Sequence, residues 1–173
     1  MSDGQRIDAL PLFPLSSVLF PGGLLALKVF EVRYVDLVAD CLRHQRPFGV
    51  LCLLQGGEVR AGSKAAVRFE STGVLARLDD VDSEQPGVLR ARCTGTSRFR
   101  LDGAAAQQND GLWVGSATLL PDDEAEPPPV EMQGTVQALA NAMATLKAQG
   151  AELFNEPPRM DDAGWVANRW CEI

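Results

Sequence analysis

Cys41 and His44 stand three residues apart, so a helix carrying both would put them on one face. A thiol beside an imidazole is the raw material of a nucleophile, because the ring can take the thiol proton. The chain has a single histidine, however, and no third residue is spaced to orient it. A buried thiol and a helix-end histidine favoured by the dipole is the plainer reading. Carboxylates cluster as Asp79-Asp80-Val81-Asp82 and as Asp122-Asp123-Glu124. Glycosidic hydrolysis needs two carboxyls held across a cleft, whereas acid runs in turns and linkers usually serve solvation. Gly62-Ser63-Lys64 is the nearest approach to a phosphate loop, but it lacks the upstream glycine and is followed by Ala65. Neither a dinucleotide-binding GxGxxG nor a nucleophile-elbow GxSxG is present.

Arginines alternate with apolar residues in Leu89-Arg90-Ala91-Arg92-Cys93 and in Arg98-Phe99-Arg100-Leu101. Strand periodicity puts Arg90, Arg92, Arg98 and Arg100 on one outer face, apolar residues on the other. Such a face could meet an acidic peptide or nucleic acid, or it is a solvated sheet surface balanced by acids such as Asp79 on a neighbouring strand. The cysteines Cys41, Cys52, Cys93 and Cys171 form no CxxC pair, so no metal site and no cofactor is expected.

The elements that must hold these residues are short. Ile7–Phe13 and Leu24–Phe30 read as strands, separated by the turn signals Pro14 and Pro21-Gly22-Gly23. From Glu31 to His44 the period changes: Tyr34, Val35, Val38, Cys41 and Leu42 recur at helical spacing. Phe48–Leu54 is apolar throughout, the mark of a strand covered on both faces. Further strands are expected at 66–70, 73–81, 88–94, 98–101 and 112–120, each bounded by Gly, Asn, Asp or Pro. Residues 121–129, PDDEAEPPP, read as an extended, solvated linker. Beyond it, Val136, Leu139, Ala140, Met143 and Leu146 make one helical stripe, with Gly150 as a stop. Asp161 and Asp162 can cap a last helix carrying Trp165, Val166 and Trp170, which is expected to run to Ile173 and to be cut off there. The two tryptophans are expected to pack these helices onto the strands.

The fold class is therefore mainly β with α: a small barrel or sandwich with one inserted helix over residues 1–120, the linker, and a helical region over 130–173. The chain has 173 residues, enough for a disulfide-free core. Lys and Arg number 13 against 13 acids up to residue 120, and 3 against 10 after it. The whole formal net charge of -7 thus lies in the last third. The acidic balance, with a pI near 4.7, argues against a general nucleic-acid binder. No apolar run is long enough for a membrane span. With no secretory signal at the N-terminus, a reducing cytoplasm is expected.

One stretch points to a family. Leu10–Leu15 (LPLFPL), Pro21-Gly22-Gly23, Phe30-Glu31, Arg33-Tyr34 and Phe48-Gly49 occur in that order, followed by Gly95-Thr96-Ser97-Arg98-Phe99. This sequence resembles the N-terminal domain of the ATP-dependent Lon protease. The resemblance covers essentially the whole chain. It implies a PUA-like β-barrel followed by a helical bundle, and a module that recognises unfolded or extended polypeptide, or a protein partner, in protein quality control. It implies no catalysis here, because the chain has no P-loop and no room for the family's ATPase and Ser-Lys peptidase modules. Glu31, Arg33, Tyr34, Arg98 and Phe99 are the binding candidates that the motif supplies, with framework duty as their alternative. PUA-like barrels also suggest a second expectation, a small-ligand or RNA-binding module.

Overall fold

The computed structural model describes residues 4–57, 67–151, 154–155 and 157–173, apart from the side chain of Glu84. Gly62-Ser63-Lys64 and Ala66 lie outside the described residues. The chain is mainly β with three helices. Its elements are β1 (Arg6–Leu15), β2 (Leu24–Val29), α1 (Val32–His44), β3 (Phe48–Gln55), β4 (Arg68–Gln85), β5 (Val88–Leu101), β6 (Ala106–Gln107) and β7 (Trp113–Leu119). A 3-10 turn at Val130–Met132, α2 (Gln133–Ala148) and α3 (Ala163–Trp170) follow.

Strand β1 lies parallel to β3 and antiparallel to β7. The β3–β4 and β4–β5 pairs are antiparallel. The last residues of β5 then reach β7, with Phe99 opposite Leu119 and Leu101 opposite Ala117. The pairing circuit β1-β3-β4-β5-β7 thereby closes on itself, which removes its free edges. The first part of β5 carries β2 outside this circuit, from Leu24 opposite Thr94 to Val29 opposite Leu89. The two-residue β6 hangs on β7.

Sequence reading expects 73–81 to be separate from a strand before it, and 88–94 separate from 98–101. Each pair is one long strand instead. Gly73 and Gly95 are not turns but points of close approach. A Cβ on Gly73 would fall on the Val50 carbonyl oxygen, and one on Gly95 on that of Phe20. The true turn is Gln85-Pro86-Gly87-Val88, where Pro86 presets φ and Gly87 takes the positive φ of +80°. The last helix also differs from expectation. It ends at Trp170, and the Cys171 N–H closes its last turn on Ala167 and Asn168. At its start Asp162 accepts from the Gly164 and Trp165 N–H groups.

Strand alternation sorts the core into two clusters. Leu10, Leu12, Leu51, Leu75, Phe99, Ala117 and Leu119 fill one. Phe13, Leu15, Phe48, Val50 and Cys93 project to the other, where Tyr34, Leu37, Val38 and Cys41 of α1 cover them. Hence β3 is apolar on both faces. Phe99 is fully buried over two glycines: a Cβ on Gly49 would lie 2.7 Å from its Cζ, and one on Gly73 2.8 Å from it. Helices α2 and α3 pack through Leu139, Trp165 and Val166, and the Trp170 indole N–H donates to Thr135 O at 3.3 Å.

Gly49→Ala meets only side-chain tips around its new methyl and should cost about 1–3 kcal/mol. Gly73→Ala meets a backbone carbonyl that can yield only by parting β3 from β4, so its cost should be larger. Urea denaturation of both variants checks the order. Equal midpoints would mean that the close approach at Gly73 is misplaced.

Candidate functional site

Three places gather the residues singled out above. The first is the entry to α1. Glu31 is the residue before the helix, in extended conformation, and its side chain makes no cap hydrogen bond. Its carboxylate instead pairs with Arg33 Nη2 at 3.0 Å. Arg33 is buried, donates from Nη1 to Gly111 O at 2.7 Å, and stands 4.6 Å over the Tyr34 ring. Tyr34 in turn stacks on Phe13, ring centres 3.8 Å apart. A buried guanidinium is tolerable only with this many partners. Together they tie the start of α1 to β1 and to the turn before β7.

The second place is the cleft between strands and helices. Here Arg98 donates from Nη2 to Asp123 Oδ1 at 2.7 Å and to Pro121 O at 2.8 Å, fixing the acidic linker against β5. Phe99, its neighbour, points into the core. The cleft holds about 470 Å³ and is lined in part by Gly22, Thr96, Arg98, Asp123, Arg159 and Trp165. Next to Pro21, which also lines the cleft, Arg169 is 1% exposed and donates to Pro21 O at 3.1 Å and to Glu172 Oε1 at 2.8 Å. Burial pulls the Arg169 pKa down and pushes that of Glu172 up, each opposed by its partner's charge. Gly22 and Gly23 leave room for this pair: a Cβ on Gly22 would lie 3.2 Å from Arg169 Nη1, and one on Gly23 would fall on Glu172 Oε1. The Pro-Gly-Gly signal is thus both a turn and a docking cradle. The motif residues do not form one site: Glu31, Arg33 and Tyr34 lie together, while Arg98 and Phe99 belong to the β5 side.

The third place is the outer edge of β2. The Gly95 N–H donates to Gly23 O at 2.9 Å, which sets the phase of the β2–β5 ladder. The backbone groups of Leu25, Leu27 and Val29 face β5, and those of Leu24 and Ala26 point outward. Among the described residues the outer edge of β2 meets only Phe154, in a single antiparallel bridge at Gly23. Grooves flank this edge on both sides. One of about 290 Å³ is lined by Phe13, Leu25, Leu27, Phe30, Glu31 and Tyr34, with Phe30 51% exposed. The other, about 430 Å³, is lined by Leu24, Ala26, Lys28, Asp82, Arg90 and Arg92, among others. The sequence does not single out β2 as the strand with an open edge, because an apolar run does not reveal how many neighbours a strand has.

The thiol–imidazole pair does not assemble. His44 Nδ1 turns to Asp40, 2.9 Å from Oδ1. Burial pushes the Cys41 thiol up to about 11, and Cys93 up to about 12. Both therefore stay protonated at neutral pH, and only the thiolate is nucleophilic. With iodoacetamide at about pH 8, the exposed Cys171 should be modified first. Cys41 and Cys93 should react only on unfolding. Peptide mass spectrometry reads the sites, and fast labelling of native Cys41 would restore it as a nucleophile.

The known proteins agree on a family. The model of the ATP-dependent protease La (LON) substrate-binding domain matches residues 9–173. A crystal structure of a Lon N-terminal domain protein from Xanthomonas campestris superposes with a TM-score of 0.70 at 34% identity, covering 94% of this chain and 80% of that one. The N-terminal domain of the Mycobacterium avium complex Lon protease shares the fold at a TM-score of 0.53 and 17% identity, over 82% and 69% of the two chains. Among curated proteins none matches. On this match over nearly its whole length, the chain belongs to the Lon substrate-binding domain family.

Proposed function

We propose that this chain is a non-catalytic recognition module that binds extended polypeptide by adding it as a further strand to β2. The observation that carries the reading is the outward-facing backbone of Leu24 and Ala26, set beside the groove to which Leu25, Leu27, Phe30 and Tyr34 contribute. Main-chain groups on an open edge give affinity for any extended segment, and alternate side-chain pockets add preference. In this reading Glu31 and Tyr34 border the guest and Arg33 positions them. Arg98 and Phe99 hold the scaffold, the first through the linker and the second through the core. The family's description as a substrate-binding domain supports this direction. The four free thiols fit a reducing, cytoplasmic setting, and the closed circuit fits a PUA-like barrel.

Ala26→Pro tests the edge. Its N–H points away from β5, so proline there should leave the sheet intact while removing one donor and obstructing the approach of a guest. A permanently unfolded, carboxymethylated protein should bind the parent chain at micromolar levels and the variant at least about fivefold more weakly, the worth of roughly one hydrogen bond. Unchanged circular dichroism must accompany the loss. If Ala26→Pro binds as the parent does, β2 is not the site.

A further inference from the structure

We infer that the cleft between β5 and α3 is a second site, separate from the β2 edge, that takes a ligand through a neutral carboxamide group. The cleft's volume of about 470 Å³ is that of a small-molecule pocket. Trp165 lines it and is 7% exposed, yet its indole N–H has no hydrogen-bond partner among the described residues. The other tryptophan of α3 does have one, since the Trp170 indole N–H donates to Thr135 O. A donor left unspent in a wall this buried costs free energy until an acceptor meets it. Asn168 stands three residues on, on the same side of α3, and also lines the cleft with its carboxamide unspent.

The charges decide the class of ligand. Both arginines of the lining are committed, Arg98 to Asp123 and Arg159 to Asp162. Asp122 is the lining charge left without a partner among the described residues. An anion would therefore face an uncompensated carboxylate, and it brings no N–H for the Asn168 carbonyl. A cationic amidine suits Asp122 but brings no acceptor for the Trp165 N–H, which can only donate. A primary carboxamide carries both. Its oxygen has two lone pairs, one for the Trp165 N–H and one for Asn168 Nδ2–H, and its two N–H groups suit Asn168 Oδ1 and the Asp122 carboxylate. Pro21, Gly22 and Gly95 supply an uncharged stretch of lining for the body of the ligand. Gly22 also leaves the indole uncovered: a Cβ there would lie 3.9 Å from Trp165 Nε1.

Three flat fragments of one shape separate the classes: benzamide, benzoate with acceptors only, and benzamidine with donors only. The readout is the Trp165 Nε1–H peak in nitrogen–proton correlation NMR of the whole chain, assigned among its three tryptophans by its loss in Trp165→Phe. Benzamide should move this peak with half-saturation near about 1 mM, as befits a fragment. It should bind at least about fivefold more tightly than either charged fragment, the worth of roughly one hydrogen bond. Asn168→Asp, a change at a half-buried residue, trades the carboxamide for a carboxylate and should put benzamidine ahead of benzamide. A blocked glutamine peptide that moves the same peak would place the carboxamide on a polypeptide side chain, and a response to benzamide alone would place it on a free small molecule. Equal binding of the three fragments, preference of the parent chain for a charged one, or a peak that none of them moves would overturn the inference. Ala26→Pro should bind benzamide as the parent does, so the cleft and the β2 edge stand or fall separately.

Discussion

The closure of the five-strand circuit over Phe99 is the constraint on which the rest depends. A ring this tight can enclose a phenylalanine only if the strands crossing it give up side chains, and Gly49 and Gly73 do so. Closure also divides the labour of β5. Its last residues turn to β7 to complete the circuit, and its first part is left to carry β2. A strand recruited in that way has one strand neighbour among the described residues. The open edge is thus a geometric by-product of a closed core, and the core need not change for the edge to vary.

The motif residues read differently once the packing is known. Arg33 is a brace: its guanidinium is shared among Glu31, the Gly111 carbonyl and the Tyr34 ring, so removing it would loosen three segments at once. Arg98 ties down the one stretch whose composition favours extension into solvent. The pair Arg169–Glu172 does the same for α3, at the cost of burying two charges. Polar groups in this chain chiefly decide where segments dock, and apolar burial supplies most of the favourable free energy.

Much of the fold was legible in the sequence. The change of period at Glu31 marked α1, the uninterrupted apolar run marked β3, and Asp162 marked the start of α3. Gly73 and Gly95 misled, because a glycine that admits a neighbouring carbonyl looks the same in one dimension as a glycine that turns the chain. The candidate site was less legible. Glu31 and Tyr34 border the groove beside β2, but the edge itself is a property of topology. Whether a strand has one neighbour or two depends on pairings made by residues far away in the chain. Arg169 and Glu172 were missed for a similar reason: a spacing of three suggests a surface pair, and only the Pro21–Gly23 turn packed against it makes it a buried one.

The Phe154 bridge at Gly23 gives the β2 edge a closed end. A chain laid along the edge can register from Leu24 onward but cannot continue past that stop. If β2 takes a guest strand as proposed, the groove is a cul-de-sac and not a track, and a long guest would be held at one short stretch.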